Sequence, residues 1–241
     1  MVEIWGHRGA PHFEPENTME SFETAKSMGV AGVELDIQLS KDGHVVVVHD
    51  EKLERTSNGK GFVKDFTLKE LKRLNFNKGP KVGKYSIPTL DEVLAWAKLT
   101  SLQVNVEFKT GIIFYAGIEQ KAWDIVKKHD MLDRVIWSSF NHYSLQNLQE
   151  IDKTVQIALL CGGGIFVTGE QCKYVGAEAL HPNIRQLHYP GIVAECHARG
   201  IKVRAWTVDT PEHFALAKNL KADAVFTNRI DLAKICLEEP K

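Results

Sequence analysis

The chain has 241 residues, of which 44% are hydrophobic and 25% are charged, and both fractions are ordinary for a globular protein. They exclude a disordered, collagen-like or disulfide-dense chain, and the length fits one or two domains or a single barrel of about 250 residues. Lys and Arg number 30 and Asp and Glu number 31, which gives a net charge of −1. No overall field therefore favours nucleic acid or an anionic membrane as a partner.

The four cysteines are scattered and form no Cys-x-x-Cys pair, which predicts reduced thiols rather than a disulfide framework or a zinc-thiolate site. The first residues, Met1–Gly6, hold no basic segment followed by an apolar one, so we expect no signal peptide. No apolar stretch reaches the roughly 20 residues that a membrane-spanning helix needs. We therefore expect a cytoplasmic protein without an integral membrane segment.

Short apolar runs alternate with amphipathic stretches along the chain. The first helix is predicted by Met19, Phe22, Ala25 and Met28, which recur at three-residue steps before Gly29. The predicted strands are Val2–Gly6, Gly32–Ile37, His44–His49, Gln103–Phe108, Arg134–Ser138, Gln156–Leu160, Ala177–His181, Lys202–Val208 and Ala224–Thr227. The predicted helices are Asn17–Met28, Thr89–Leu99, Ala116–His129, Tyr143–Glu150, Gly191–Arg199 and Pro211–Asn219.

Strands that alternate with helices indicate parallel βαβ units. If His44–His49 extends the second unit, eight strands remain, which predicts a single (β/α)8 TIM barrel. A doubly wound open sheet is the alternative, disfavoured because no Gly-x-Gly-x-x-Gly follows the first strand. Residues 51–88 are interpreted as a small insertion on the barrel rim after the second strand, with a short helical piece near Leu68–Leu74. The run Gly162–Gly164 lacks the lysine of a P-loop and is interpreted as a βα loop.

Two predicted strands carry charged side chains on one face only. Side chains two residues apart share a face of a strand, so Glu34 and Asp36 point together, as do Glu107 and Lys109. The apolar residues between them must face the helices, which places three carboxylates and a lysine towards the barrel axis. Unpaired, each would cost several kcal/mol, and a hard divalent cation, Mg²⁺ or Ca²⁺, would compensate them. The alternatives are a buried Glu–Lys salt bridge and an amphipathic strand with solvated charges.

Two histidines sit just past predicted strand ends, where catalytic groups of barrels lie. His7 follows the first strand and precedes Arg8, whose planar guanidinium suits a phosphate. His49 follows four valines. Histidine is a candidate general acid or base because its pKa lies near neutral. For either histidine alone, an ordinary loop residue is the simpler interpretation, but together with the carboxylates they indicate a catalytic site.

These residues belong to a series of motifs that resembles the glycerophosphodiester phosphodiesterase family, in order and over essentially the whole chain. The motifs are Gly6-His7-Arg8-Gly9, Pro15-Glu16-Asn17-Thr18, Glu34-Leu35-Asp36, Lys41-Asp42-Gly43, His49-Asp50, Arg55-Thr56, Pro88-Thr89-Leu90, Asn105-Val106-Glu107-Phe108-Lys109, Ser139-Phe140-Asn141, His181-Pro182, Trp206-Thr207-Val208 and Phe226-Thr227-Asn228-Arg229. The resemblance implies a (β/α)8 barrel and metal-dependent hydrolysis of glycerophosphodiesters to sn-glycerol 3-phosphate and an alcohol.

The resemblance also implies roles for single residues. The metal ligands would be Glu34, Asp36 and Glu107, the acid–base pair His7 and His49, and the phosphate contact Arg8. Lys109 would lie near the phosphate or the carboxylates, Trp206 would form a wall of the substrate pocket unless it is a core aromatic, and Asn17 would order the first βα loop. We favour His7 as the acid because Arg8 would hold the phosphate beside it, although the residues leave that assignment open.

The expected partner is a small glycerophosphodiester, with no nucleic acid. The sequence leaves open whether water or the substrate's own 2-hydroxyl is the nucleophile. A lysophospholipase D-like activity on the same barrel is one alternative, disfavoured because residues 51–88 hold few large apolar side chains. A non-catalytic phosphodiester-binding module is the other, disfavoured because every expected catalytic position is filled.

Overall fold

Eight parallel strands form a closed ring in the computed structural model, which describes residues 1–163, 168–189 and 191–237. The first strand, β1 (Glu3–Gly6), closes the ring by pairing with both β2 (Gly32–Leu39) and β9 (Ala224–Thr227). This closure confirms the (β/α)8 barrel and excludes an open sheet. The other strands of the ring are β4 (Gln103–Phe108), β5 (Val135–Ser139), β6 (Gln156–Cys161), β7 (Ala179–Pro182) and β8 (Lys202–Ala205).

A ninth strand, β3 (Val45–Val47), lies outside the ring. It runs antiparallel to the end of β2, with Ile37 opposite Val47 and Leu39 opposite Val45. The chain turns between them at Gly43, whose φ of +80° favours glycine. Because β2 continues past the rim as this hairpin, β3 returns the chain to the carboxyl ends of the barrel strands and delivers His49 there.

Several helices between the strands begin at side chains that accept hydrogen bonds from free helical N–H groups. Thr18 and Thr210 cap the helices after β1 and β8 in this way, and Thr89 forms a capping box with Glu92. The α-helices in the described part of the chain are α1 (Met19–Ser27), α2 (Leu68–Leu71), α3 (Leu90–Ala97), α4 (Ile118–Lys128), α5 (His142–Ile151), α6 (Thr168–Tyr174), α7 (Ile192–Ala198), α8 (Pro211–Asn219) and α9 (Ile230–Leu237).

The strands bury two separate sets of side chains. Alternate residues face outward against the helices and form the main hydrophobic core, to which β2 and β4 contribute Val33, Leu35, Ile37, Val104, Val106 and Phe108. The inward set fills the barrel interior with Trp5, Ile136, Ala158, Ala179, Ala224 and Phe226. This apolar plug leaves the carboxyl ends of the strands for polar side chains.

Residues 51–88 connect β3 to α3. They contain α2 and a short 3₁₀ helix, Val63–Asp65. Their buried side chains pack on Val46 and Val48 of the hairpin and form a small second cluster with them. The segment therefore rests on the hairpin that carries His49. No helix among the described residues is long and apolar enough to cross a membrane.

Most predicted elements agree with the structure to within a few residues, and β4, α8 and β9 agree at both ends. Two α-helices, α6 and α9, were not predicted, nor was the 3₁₀ helix Ile184–His188 after β7. The predicted strand Lys202–Val208 is shorter, ending at Ala205. Of the predicted glycine loop, Gly162 and Gly163 follow β6 as expected, while Gly164 lies outside the described residues.

Candidate active site

Three carboxylates meet at the carboxyl ends of β2 and β4. Glu34 and Asp36 project inward from β2, and Asp36 lies directly across from Glu107 of β4. Each of the three offers an oxygen within 4.8 Å of the other two. Leu35 and Ile37 face the helices instead, so the alternation of the sequence has gathered the charges on one side, as predicted.

Burial and crowding perturb these carboxylates strongly. Burial, followed by repulsion from Asp36 and Glu107, raises the pKa of Glu34 well above its usual value. The pKa of Glu107 is raised in the same way by burial and Asp36. Burial alone would raise the pKa of Asp36 too, but the positive groups around it hold that pKa below its usual range. Without a cation, the protein surroundings therefore do not balance three carboxylate charges at this site.

The donor set fits a divalent cation. Glu34 Oε1 and Asp36 Oδ1 are buried and accept no hydrogen bond, a costly state for a carboxylate oxygen unless a cation faces it. Oxygen ligands of this kind select hard ions such as Mg²⁺ and Ca²⁺. A Glu–Lys salt bridge is present at Glu107, which lies 2.8 Å from Lys109 Nζ, and the same ammonium lies 3.9 Å from Asp36, but this alternative leaves the buried Glu34 Oε1 without a partner.

His7 stands beside this cluster in a fixed orientation. Its Nδ1 lies 2.9 Å from Oδ1 of Asn228, and its Nε2 lies 4.0 Å from Glu34. Asn228 cannot turn its amide round, because its Nδ2 donates to the Asp209 carboxylate at 2.7 Å. Nδ1 of His7 must therefore carry the proton, which leaves the lone pair on Nε2 towards the carboxylates.

The surroundings of His7 favour its neutral imidazole. Burial, reinforced by the neighbouring Arg8 guanidinium, lowers the pKa of His7 to about 4. A neutral imidazole with its lone pair held on Nε2 can accept a proton from a group in the pocket.

His49 has a different set of partners. Its Nδ1 donates to Asp50 at 2.6 Å, and its Nε2 accepts from Lys109 at 3.1 Å. Burial would raise the pKa of Asp50, but hydrogen bonds from Arg55 and His49 bring that pKa down to about 2. The ionised carboxylate orients the ring and compensates its charge whenever the imidazole takes up a second proton.

Arg8 reaches the carboxylates because the chain turns sharply after β1. Gly9 has a φ of +89°, and a Cβ there would come within 2.4 Å of the Ser21 hydroxyl. Arg8 itself has a φ of +57°. Its backbone N–H donates to Glu34 at 2.8 Å, and its guanidinium lies 3.4 Å from Asp36. The turn thus brings a fixed positive charge to the cluster.

Trp206 packs against the apolar side chains of the barrel interior and lines the wall of the pocket beside His7 and His49. It is half-buried, its indole N–H donates to the backbone carbonyl of His181 at 2.8 Å, and its ring meets Phe140 edge-on at 5.3 Å. His7, Arg8, His49 and Lys109 line this pocket as well, together with Glu34 and Glu107. All eight predicted site residues are therefore gathered at one end of the barrel, and Asp36 is fully buried.

Asn17 does more than order the first βα loop. Its backbone N–H donates to Arg8 O at 3.0 Å, as a loop-ordering role requires. Its side chain is buried and its Nδ2 donates to Asp36 at 2.8 Å. Asn17 thereby fixes one of the three carboxylates.

Sequence reasoning missed the two residues that orient His7. Asp209 and Asn228 follow β8 and β9, and both lie just past strand ends, which was the available indication. Asn228 is 221 residues from His7, so no local pattern joins them.

Comparison with known proteins places this geometry in a family. The sequence profile of the glycerophosphoryl diester phosphodiesterase family matches residues 7–232. The chain belongs to that family. It is 41% identical over 227 residues to a glycerophosphodiester phosphodiesterase of Caldanaerobacter subterraneus subsp. tengcongensis, covering 93% of each chain. It is 38% identical over 245 residues to a glycerophosphodiester phosphodiesterase of Bacillus altitudinis, covering 100% of each.

A solved phosphodiesterase has the same fold. A phosphodiesterase of Oleispira antarctica, determined in complex with the product sn-glycerol-3-phosphate, superimposes with a TM-score of 0.89 at 26% identity, covering 99% of this chain and 98% of that one. The family resemblance found in the motifs is thus confirmed.

Proposed function

We propose that the protein hydrolyses glycerophosphodiesters to sn-glycerol 3-phosphate and an alcohol, with His7 and His49 moving the protons. The observation that carries the proposal is the pocket itself, in which two oriented imidazoles face one carboxylate cluster beside the Arg8 guanidinium. The relatives named glycerophosphodiester phosphodiesterases and the product bound to the Oleispira protein support this substrate class.

Glu34, Asp36 and Glu107 would hold a divalent cation, Mg²⁺ or Ca²⁺, since their oxygens lie close enough together and two of them lack partners. When bound, the cation would supply a counter-charge for the phosphoryl oxygens. Arg8 would bind the same oxygens through its planar donors. Lys109 would add a second positive charge, and Trp206 would bound the substrate from the opposite wall.

His7 is proposed as the base and His49 as the acid, which reverses the assignment favoured from the sequence. Nε2 of His7 carries a lone pair because Asn228 holds the proton on Nδ1. It would take the proton of the attacking hydroxyl, from water or from the glycerol 2-hydroxyl. His49 would act as its imidazolium, whose charge the Asp50 carboxylate at Nδ1 would compensate, and it would give its Nε2 proton to the oxygen of the departing alcohol.

We also propose that the chain is one domain and that residues 51–88 are its rim insertion. The packing of this segment on Val46 and Val48 supports the proposal. The cytoplasmic location and the absence of a nucleic-acid partner stay predictions from the sequence.

A product assay tests the proposed function. Purified protein is incubated with glycerophosphocholine, glycerophosphoinositol or lysophosphatidylcholine, with Mg²⁺ or Ca²⁺ and with chelator. We expect sn-glycerol 3-phosphate from the first two substrates and none from the doubly substituted His7→Ala, His49→Ala variant, which is the matched control. Wild-type protein that binds these substrates but releases no product would establish the non-catalytic binding module instead.

One observation favours the second candidate, a lysophospholipase D-like activity. The loop after β4 exposes Ile112 and Phe114, at 74% and 78%, and the loop after β5 exposes Phe140 in the pocket wall. These apolar groups lie outside residues 51–88 and would suit an acyl chain. Equal kcat/KM for lysophosphatidylcholine and glycerophosphocholine, lost selectively for the lysolipid in Phe114→Ser, would select this candidate.

A further inference from the structure

Arg55 lies in residues 51–88 and holds two carboxylates that belong to different loops of the site. Its Nε donates to Asp50 at 2.6 Å and its Nη2 to the same carboxylate at 2.9 Å. On the other side, Nη1 and Nη2 donate to Glu16 at 2.6 and 2.7 Å. Four hydrogen bonds of this length are present although the side chain is 48% exposed.

Each of the two carboxylates has a second partner in the proposed machinery. Asp50 accepts the Nδ1 proton of His49 at 2.6 Å. Glu16 accepts from Nη1 of Arg8 at 2.9 Å. An unbroken chain of contacts therefore runs from His49 through Asp50, Arg55 and Glu16 to Arg8.

The geometry points to Arg55 as a positioning residue for the reaction. It would hold the proton donor His49 and the phosphate-binding guanidinium of Arg8 in fixed positions relative to each other. The inference rests on the proposed function and extends it to a residue of the rim segment. Arg55 acts through Asp50 and Glu16, and it touches neither His49 nor the carboxylates of the metal cluster.

Only a guanidinium can make this connection. Its planar donors reach both oxygens of Asp50 and of Glu16 at once, whereas a lysine ammonium is a single point of charge. If Arg55 were removed, the carboxylates of Asp50 and Glu16 would lose the positive group that they share. Asp50 would then be free to turn away from the His49 ring.

Steady-state kinetics on glycerophosphocholine test the role. Loss of these charge-assisted bonds predicts a fall in kcat/KM on the order of 10- to 100-fold for Arg55→Ala. We expect kcat to fall because His49 loses its fixed orientation. We expect KM to rise because Arg8 loses its fixed orientation. Millimolar guanidinium should restore much of the loss, and ammonium should not. Arg55→Lys, which keeps the charge and the fold, should recover little.

Arg199→Ala is the matched control, because Arg199 pairs with Glu195 at 2.8 Å and has a 36% exposed side chain far from the site. It should keep wild-type kinetics and show no response to guanidinium. If Arg55→Ala is folded and retains kcat and KM within twofold of wild type, the inference is wrong. It is equally wrong if the loss only follows the unfolded fraction and guanidinium does not reverse it.

Nitrogen-15 spectra of the histidine rings separate this inference from the proposed function, since they need no turnover. In wild type, the His49 signals should show a single tautomer with a strongly hydrogen-bonded Nδ1–H, and in Arg55→Lys this signal should shift or broaden. His197, whose Nε2 lies 2.8 Å from Asp223, is the internal reference and should not change. A wild type without hydrolytic activity would refute the function, and an unchanged His49 signal would refute the role of Arg55.

Discussion

The side-chain amide of Asn228 should contribute to catalysis by keeping the proton of His7 on Nδ1. Asn228→Ala removes the acceptor that keeps the proton of His7 on Nδ1. The neutral ring is then free to place its proton on Nε2, where it blocks the lone pair that the proposed base needs. The Asp209 carboxylate would also lose the Nδ2 donor at 2.7 Å.

The size of the effect follows from the one bond that is lost. A hydrogen bond between neutral groups is worth roughly 0.5–1.5 kcal/mol, and 1.36 kcal/mol corresponds to a factor of ten in rate. We therefore expect kcat to fall about 2- to 13-fold, well short of the roughly 10²–10⁴-fold that loss of an acid or base costs. His7→Ala should fall in the latter range.

The decisive comparison is the double variant. Release of sn-glycerol 3-phosphate is measured for wild type, Asn228→Ala, His7→Ala and both together. Because Asn228 acts through His7, the double variant should be no slower than His7→Ala. Asn58→Ala, which removes an exposed acceptor of the Asn75 N–H at 2.9 Å, is the control for amide loss elsewhere. A further tenfold loss in the double variant would show that Asn228 acts by another route.

Three more predictions concern the metal, the pH profile and the leaving group. Chelation should abolish activity, and full activity after exhaustive chelation would contradict the proposed metal site. Glu34→Gln should weaken cation binding measured by calorimetry. It should not lower the thermal transition of the apoprotein, because burial and repulsion already disfavour a charge at that position. Since the pKa of His7 is lowered to about 4, the base should stay unprotonated as pH falls from 7. Protonation of His7 should therefore lower kcat/KM only when the pH nears 4. Protonation of His7 observed by NMR near pH 6.5 would contradict this prediction. His49→Ala should recover much of its activity on a p-nitrophenyl phosphodiester, whose leaving group needs little protonation, whereas His7→Ala should not; the opposite pattern would make His7 the acid.

The fold could be predicted where periodicity was strong. The alternation over Gln103–Phe108 and the apolar run Ala224–Thr227 defined β4 and β9 at both ends. By contrast, α6 has the polar sequence Thr-Gly-Glu-Gln-Cys-Lys-Tyr, which carries little helical periodicity. In α9, Ile230, Ala233 and Leu237 are spaced as one buried helix face, so that helix was open to prediction and was overlooked.

Some residues of the candidate site could be predicted from the sequence, and others could not. The strand alternation and the strand-end positions predicted the carboxylates and both histidines, because period two fixes the face and the barrel fixes the end. The partners that fix the His7 tautomer were not predicted, since Asn228 lies 221 residues from His7 in the chain and, with Asp209, meets it only through the tertiary structure. Neighbouring charge and tautomer, which decide the direction of proton transfer, depend on those partners.

Because β1 must pair with β9, the active site is completed late in the synthesis and folding of the chain. His7 follows the first strand of the barrel, and its partner Asn228 follows the last strand. A nascent chain therefore holds an incomplete active site until its C-terminal segment has left the ribosome and the ring has closed. During refolding, hydrolytic activity should appear after the secondary structure, because pairing across such a sequence separation is slow. The same arrangement means that a chain truncated before β9 would carry all three carboxylates and both histidines, and still lack the contact that orients the first of them.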